Sequence, residues 1–396
     1  MTLKPSQIQA ILQAKQEDFT RFDQRSLTLL MQYRSALMNL VERSSQLLDS
    51  PQQLMLSIGD YGATPLESWA GTNHGVLPCN LKWNSREQSL IWVQKKLAGV
   101  TTFAVDGSQI FPGKDLSIPV ALVQIGWFEN PHSKSGEYEK DIDVDVMTPS
   151  DLKASNSGEP VDRRVNFRRL EMEIDRLVQY IEAHAQDVAQ GKSYLVFFDG
   201  SLLATFAKDF EFKLRQGYVG CFVKLMRASQ QYRVPLVGYV DTSYARDLTI
   251  MLQREFDLPE VPSIHDAQLV NPYMKWGDRT TLMQSQRSGI IADYGEQQDQ
   301  LTFTYLKTTR DAYPARLEMP LWMYEAGIVN QVVDWVRGEV IIGSGYPYGI
   351  ETADQTAVLR SDDRQMFFRI LQDWSDSMDL NLRLSRKMVS KSRRRR

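Results

Sequence analysis

Leu195-Val196-Phe197-Phe198-Asp199-Gly200-Ser201 carries an apolar run straight into a carboxylate and a glycine, and Phe103-Ala104-Val105-Asp106-Gly107-Ser108 repeats that ending. A short run of β-branched and aromatic residues closed by glycine reads as a buried strand. Each copy is therefore expected to be a strand whose last residue hands a carboxylate to a glycine turn. An aspartate in that position is costly without a partner. Two of them on neighbouring strand ends can share a divalent cation. Asp-Gly-Ser is also ordinary turn chemistry, and one copy alone would read so; two copies closing buried runs favour metal ligands.

The pattern around these runs gives a strand order. Strand-like segments at 102–110, 118–127 and 139–147 follow one another with short connections, which suggests antiparallel pairing. A long amphipathic helix over 162–189 follows, with Leu170, Ile174, Leu177, Val178 and Ile181 as its buried stripe. Then come a strand at 194–198, a helix at 207–231, a strand at 235–240 and a helix at 244–256. Three strands, then helix, strand, helix, strand, is the order of an α/β ribonuclease H-like fold with a mixed sheet. In that order the ends of the first and fourth strands, and so Asp106 and Asp199, lie side by side. Further on, strands are expected at 301–307, 315–319 and 340–342, with a helix at 321–336. A last helix is expected to start near Tyr346-Pro347, where the missing N–H of proline does no harm.

Residues 5–50 have helical spacing in Ile8, Ile11, Leu12 and Phe19, and again in Leu30, Tyr33, Leu37, Leu40 and Val41. This divides the chain into a helical arm at 1–51, a main domain at 52–375 and a basic tail at 376–396. The arm is expected to pack on the main domain or on a second subunit.

Composition sets limits. The chain has 396 residues, 42% apolar and 24% charged, enough for a large domain with additions or for two domains. No stretch approaches the roughly 18 uncharged apolar residues that a membrane helix needs. The N-terminus has no hydrophobic signal core, and Cys79 and Cys221 suggest no disulfide framework, so a cytoplasmic location is expected. Net charge is −3, but Arg386, Lys387, Lys391, Arg393, Arg394, Arg395 and Arg396 make the tail basic. Such a tail attracts phosphate, or is simply a solvated terminus. There is no Walker loop, no GxSxG elbow and no zinc spacing among His74, His132, His184 and His265.

Two further carboxylates join Asp106 and Asp199 as candidates. On the helix Arg168-Arg169-Leu170-Glu171-Met172-Glu173, the two glutamates lie on opposite flanks of the apolar stripe, so one of them can lean toward the sheet; Glu171 is preferred. On the last helix, Asp354 falls among Ile350, Ala353, Ala357, Val358 and Phe368, where a carboxylate needs a cation, a donor or a site. Tyr346 stands where it could donate a hydrogen bond to a phosphate. Arg279 and Arg316 are candidates for holding a nucleic-acid backbone, or are ordinary surface arginines. Oxygen-only ligands favour Mg2+ or Mn2+ over zinc. Two such ions would activate a water and neutralise a leaving 3′ oxygen.

The segments VDGSQIFP (105–112), RRLEME (168–173), FFDGSL (197–202), PLVGYVDTSYARDL (235–248), WGDRT (276–280), ARLEMP (315–320) and GYPYGIETAD (345–354) occur in order. Together they resemble the NurA nucleases over roughly 100–360. The resemblance implies a manganese-dependent DNA nuclease with 5′-to-3′ exonuclease and single-strand endonuclease action. It also implies a homodimer working with a HerA-type hexameric ATPase in double-strand break processing. It places site residues on Asp106, Glu171 or Glu173, Asp199, Tyr346 and Asp354. Asp354 stands where the family usually has histidine, and Asp241 stands near a usual lysine. These departures keep open an inactive dimeric adaptor of the ATPase; another ribonuclease H-like nuclease is the third reading.

Overall fold

In the computed structural model, the described residues are 3–46, 62–113, 116–153, 160–287 and 289–380. They form two compact units.

The larger unit takes in Lys82–Val240, Gly289–Leu301 and Leu317–Arg396. Numbered in chain order, its strands are β1 (Val100–Ile110), β2 (Ala121–Asn130), β3 (Glu139–Met147), β4 (Ser193–Asp199), β5 (Leu236–Val240) and the latter part of β6 (Ala315–Pro320). Its longer helices are α1 (Arg86–Leu97), α2 (Val161–Ala183), α3 (Phe212–Tyr232), α4 (Val329–Ile342), α5 (Tyr348–Ala357) and α6 (Ser361–Ser377). The sheet order is β6-β5-β4-β1-β2-β3. β1 and β2 pair antiparallel, as do β2 and β3, while β1, β4 and β5 run parallel. This is the expected ribonuclease H-like order in a mixed α/β architecture.

Alternation along β1 sorts its side chains between two layers. Phe103 and Val105 enter the core shared with Leu170, Ile174 and Leu177 of α2, where Phe103 stacks on Tyr180 at 3.7 Å. Thr102 and Ser108, on the other face, hydrogen-bond to Glu339 of α4 and to the chain just after α5.

Several local expectations give way. Asp106-Gly107-Ser108 is not a turn: β1 continues to Ile110, with Asp106 opposite Gly126 and Ser108 opposite Gln124. The expected strand at 340–342 is the end of α4. A Val-Ile-Ile run suits either state, and here it completes a buried helical face. The helix expected at 321–336 is a short turn, Trp322–Glu325, followed by α4. The last helix breaks at 358–360, so Phe368 belongs to α6. The long helix stops at Ala183, and a short one, Ala185–Ala189, follows.

The smaller unit takes in Met1–Leu81, Asp241–Ser288 and Thr302–Arg316. Its N-terminal helices are Pro5–Ala14 and Gln16–Gln46. Tyr33, Leu37 and Leu40 are buried with Leu248, Met251, Ala267 and Leu269, so this part of the arm packs inside its own unit. Tyr33 also donates its hydroxyl to the Pro259 carbonyl at 2.7 Å. The strand Gly62–Pro65 pairs with Met283–Gln286. Among the described residues no helix is long and apolar enough to cross a membrane.

Candidate active site

The parallel register ends with Val105 opposite Phe198, so the next residues, Asp106 and Asp199, stand at one level on adjacent strands. Asp106 is half-buried and accepts the Gly107 N–H at 2.7 Å. Asp354, on α5, lies beside its carboxyl. Burial pushes Asp106 up to about 6; the Gly107 bond opposes this, Asp354 and Asp199 add to the rise, and Arg169 opposes it.

Of the two helix glutamates, Glu173 faces β1 and the expected Glu171 is turned to Arg168. Glu171 is tied to Arg168 at 2.6 Å, and the same guanidinium holds Asp145 at 2.6 Å. Glu173 is only 5% exposed and faces β1 at Gly107. A Cβ on Gly107 would lie 2.4 Å from Glu173 Oε1 and 2.7 Å from Arg169 Cγ, so only glycine leaves room for this approach. Glu173 Oε1 is buried without a hydrogen-bond partner, and the Arg169 Nη1 atom is 3.4 Å away. Burial raises Glu173 to about 8, Arg169 opposes the rise, and Asp106 and Asp199 add to it.

Asp199 is exposed at the end of β4 and accepts the Tyr346 hydroxyl at 2.7 Å. Gly200 follows at φ +140, and its N–H reaches the Tyr239 carbonyl at 2.9 Å. Sequence reasoning missed what holds this turn. Glu318 on β6, fully buried, accepts the Ser201 hydroxyl at 2.8 Å and the Leu202 N–H at 2.7 Å.

A second missed acid seats α5. Glu339 is fully buried and accepts Thr102 Oγ1 at 2.9 Å and the Gly349 N–H at 2.8 Å, with His132 Nε2 at 3.0 Å. The other end of α5 is fastened by Gln124 to the Ala357 carbonyl at 2.9 Å and by the Leu359 N–H to Ser108 at 3.0 Å. Asp354 rides on this helix beside Asp106, exposed at the rim of the apolar face in which it was expected to lie. Glu318 stands between Leu317 and Met319 in a strand-like segment, and that signal could have found it; Glu339, after Arg337-Gly338, gave no such signal.

Arg279 and Arg316 are not placed to hold a backbone. Arg279 is 3% exposed and grips Glu67 with two bonds at 2.6 and 2.8 Å. Arg316 is 1% exposed and bonds Asp247 at 2.9 Å. Burial would push Asp247 up, yet Arg287 and Arg316 hold it well below the usual carboxylate range. Arg393, Arg394, Arg395 and Arg396, with the tail from 381 onward, lie outside the described residues, as does the boundary at 51, while 376–377 are the end of α6.

Among the described residues, no three Asp, Glu, His or Cys side chains already stand at metal-holding distance. The donor set nevertheless fits a hard divalent cation. Asp106, Glu173, Asp199 and Asp354 offer oxygen only, and one Glu173 oxygen is buried with no hydrogen-bond partner.

The family model described as the NurA domain matches residues 100–359. A crystal structure of NurA with manganese is similar at TM-score 0.41 and 10% identity, over 69% of this chain and 89% of that one. A second NurA crystal structure has TM-score 0.41 and 9% identity, over 75% and 96%. The catalytic domain of human endonuclease V has TM-score 0.33 and 14% identity, over 75% and 92%. Among curated proteins none matches the chain.

Proposed function

The chain belongs to the NurA family, and on that premise we propose that it is a divalent-metal-dependent DNA nuclease whose site is Asp106, Glu173, Asp199, Asp354 and Tyr346. One observation carries the reading: the register that brings Asp106 and Asp199 to one level, with the unpartnered Glu173 oxygen beside them. Manganese, or magnesium in its place, would be held by the four acids and would supply Lewis-acid help to water attack on the phosphodiester, as a pair of ions in the fullest form. The chain's own residues do the rest. Asp106 and Glu173 must give up their protons before they can ligate. Tyr346, which now donates to Asp199, is positioned to turn the same O–H toward a phosphate oxygen. The histidine usual at position 354 is replaced by another oxygen donor in touch with Asp106, and this favours an enzyme over an inactive adaptor. The homodimer, the HerA-type ATPase partner and the 5′-to-3′ polarity are carried by the family resemblance alone.

The test is digestion of labelled single- and double-stranded DNA with and without Mn2+ across pH. Cleavage should need the metal and should rise with pH between about 6 and about 8 as Asp106 and Glu173 lose protons. Glu173→Gln should abolish it while Glu171→Gln leaves most of it. Equal digestion in a chelator, or a dependence on Glu171 rather than Glu173, would remove this reading.

A further inference from the structure

We propose that Arg169 is the site's resident counter-cation: it neutralises the acidic cluster when no metal is bound, and a divalent ion must displace it from Glu173 to bind. The inference rests on the metal-site reading above and deepens it. Arg169 lies one turn before Glu173 on α2 and across β1 from no obstructing side chain, because position 107 is glycine. Its Nη1 donates to the Gly107 carbonyl at 3.0 Å and stands 3.4 Å from Glu173 Oε1. That second separation is an ion-pair distance and not a good hydrogen bond, so Glu173 is left with an oxygen still to satisfy. Arg169 Nε is likewise buried with no hydrogen-bond partner.

Its neighbour makes a contrast. Arg168 is committed to Asp145 and Glu171 on the outer side of the helix. Arg169 is the cation that acts on both Asp106 and Glu173. A guanidinium with one good bond, one loose ion pair and one orphaned N–H is less firmly anchored than Arg279, which grips Glu67 with two bonds. Removing its charge takes away a competitor for the same carboxylates.

The experiment is Mn2+ binding by the full chain, read by titration calorimetry at fixed pH and low salt for the parent, Arg169→Gln and Arg169→Lys. Arg169→Gln should bind Mn2+ about fivefold more tightly than the parent, the scale of one unit charge at contact distance in a wet site. Arg169→Lys, which keeps the charge, should stay close to the parent. If the parent binds and Arg169→Gln binds no better, the counter-cation is wrong and the metal site stands. If neither binds, the site reading itself falls and this inference falls with it. Should Arg169→Gln fail to fold, the Arg169 Nε–H resonance in the parent, assigned by its absence in Arg169→Lys, decides. It should move on adding diamagnetic Mg2+, and a resonance that stays in place overturns the proposal.

Discussion

Asp106-Gly107-Ser108 and Asp199-Gly200-Ser201 are the same three residues doing different structural work. The first is strand interior, paired with Gly126, Ile125 and Gln124 of β2. The second ends its strand, and Gly200 turns the chain at φ +140. In the first copy glycine is needed for what comes toward it, Glu173 and Arg169. In the second it is needed for its own backbone angle. The serines differ as well: Ser108 accepts an N–H from Leu359, whereas Ser201 donates to the buried Glu318. The aspartates alone share a position, since each stands one residue past the last β1–β4 pair, at one level of the sheet. A tripeptide therefore specifies chemistry at its first residue and takes its conformation from its strand neighbours.

The largest effect should fall where the copies agree. Asp106→Asn and Asp199→Asn should each lower DNA cleavage on the order of a thousandfold while the protein stays folded. Their stabilities should diverge. Asp106 has its carboxyl raised by burial from 3.8 to about 6, so the favourable neutral form is fully present below the lower value and is lost as pH rises through the upper one. Above that window the charge is a net cost, and Asp106→Asn should raise the melting temperature of the metal-free protein. Asp199 is exposed, and its substitution should leave melting nearly unchanged. Full cleavage by either variant would end the idea that the two copies converge on one function.

The comparison also marks what was legible in the sequence. β1, β4 and β5 stood out because strands buried on both faces are continuous apolar runs. Their order followed from the alternation of strands and helices, and with it the meeting of Asp106 and Asp199. The conformation at Asp106-Gly107-Ser108 was not legible, because non-local hydrogen bonds from β2 override a turn-like local sequence. Glu171 and Glu173 could not be separated by helical spacing; the space over Gly107 separates them. Arg279 and Arg316 read as surface residues because their partners, Glu67 and Asp247, lie 212 and 69 positions away. Glu318 was visible in principle as an acid between apolar residues of a strand-like segment, Glu339 was not, and the partners of neither were.

The glycines give an effect of middle size and of opposite kind. In Gly107→Ala the new methyl meets the Glu173 carboxyl oxygen and the Cγ of Arg169, so both side chains must shift and the site should lose more than the fold. A displaced ligand of this sort costs on the order of a hundredfold in rate. Gly200→Ala instead forces an L-residue to φ +140, a strain of about 1–3 kcal/mol, with Phe198 Cε1 3.2 Å away. The paired measurement is Mn2+-dependent cleavage and thermal unfolding of both variants. A larger loss of rate than of stability at 107, and the reverse order of severity at 200, is expected. Equal melting losses at both positions would mean that Gly107 serves its own backbone and not Glu173.

The serines should show the smallest difference, and it tests whether the second copy is held from behind. Ser201→Ala leaves the fully buried Glu318 with one donor fewer, although the Leu202 N–H remains. That should cost about 1–2 kcal/mol, because an under-satisfied buried carboxylate keeps its desolvation penalty. Ser108→Ala removes only a part-buried acceptor from the Leu359 N–H, where water can substitute, and should cost about 0.5–1 kcal/mol. Denaturant unfolding of the two single variants resolves the ranking, and Ser201→Ala combined with Glu318→Gln tells its cause. If Glu318 is what makes Ser201 matter, the double variant should lose less than the sum of the singles, since the two side chains share one bond. Simple additivity would mean that Asp199 is held in place by its own strand, with no help from β6.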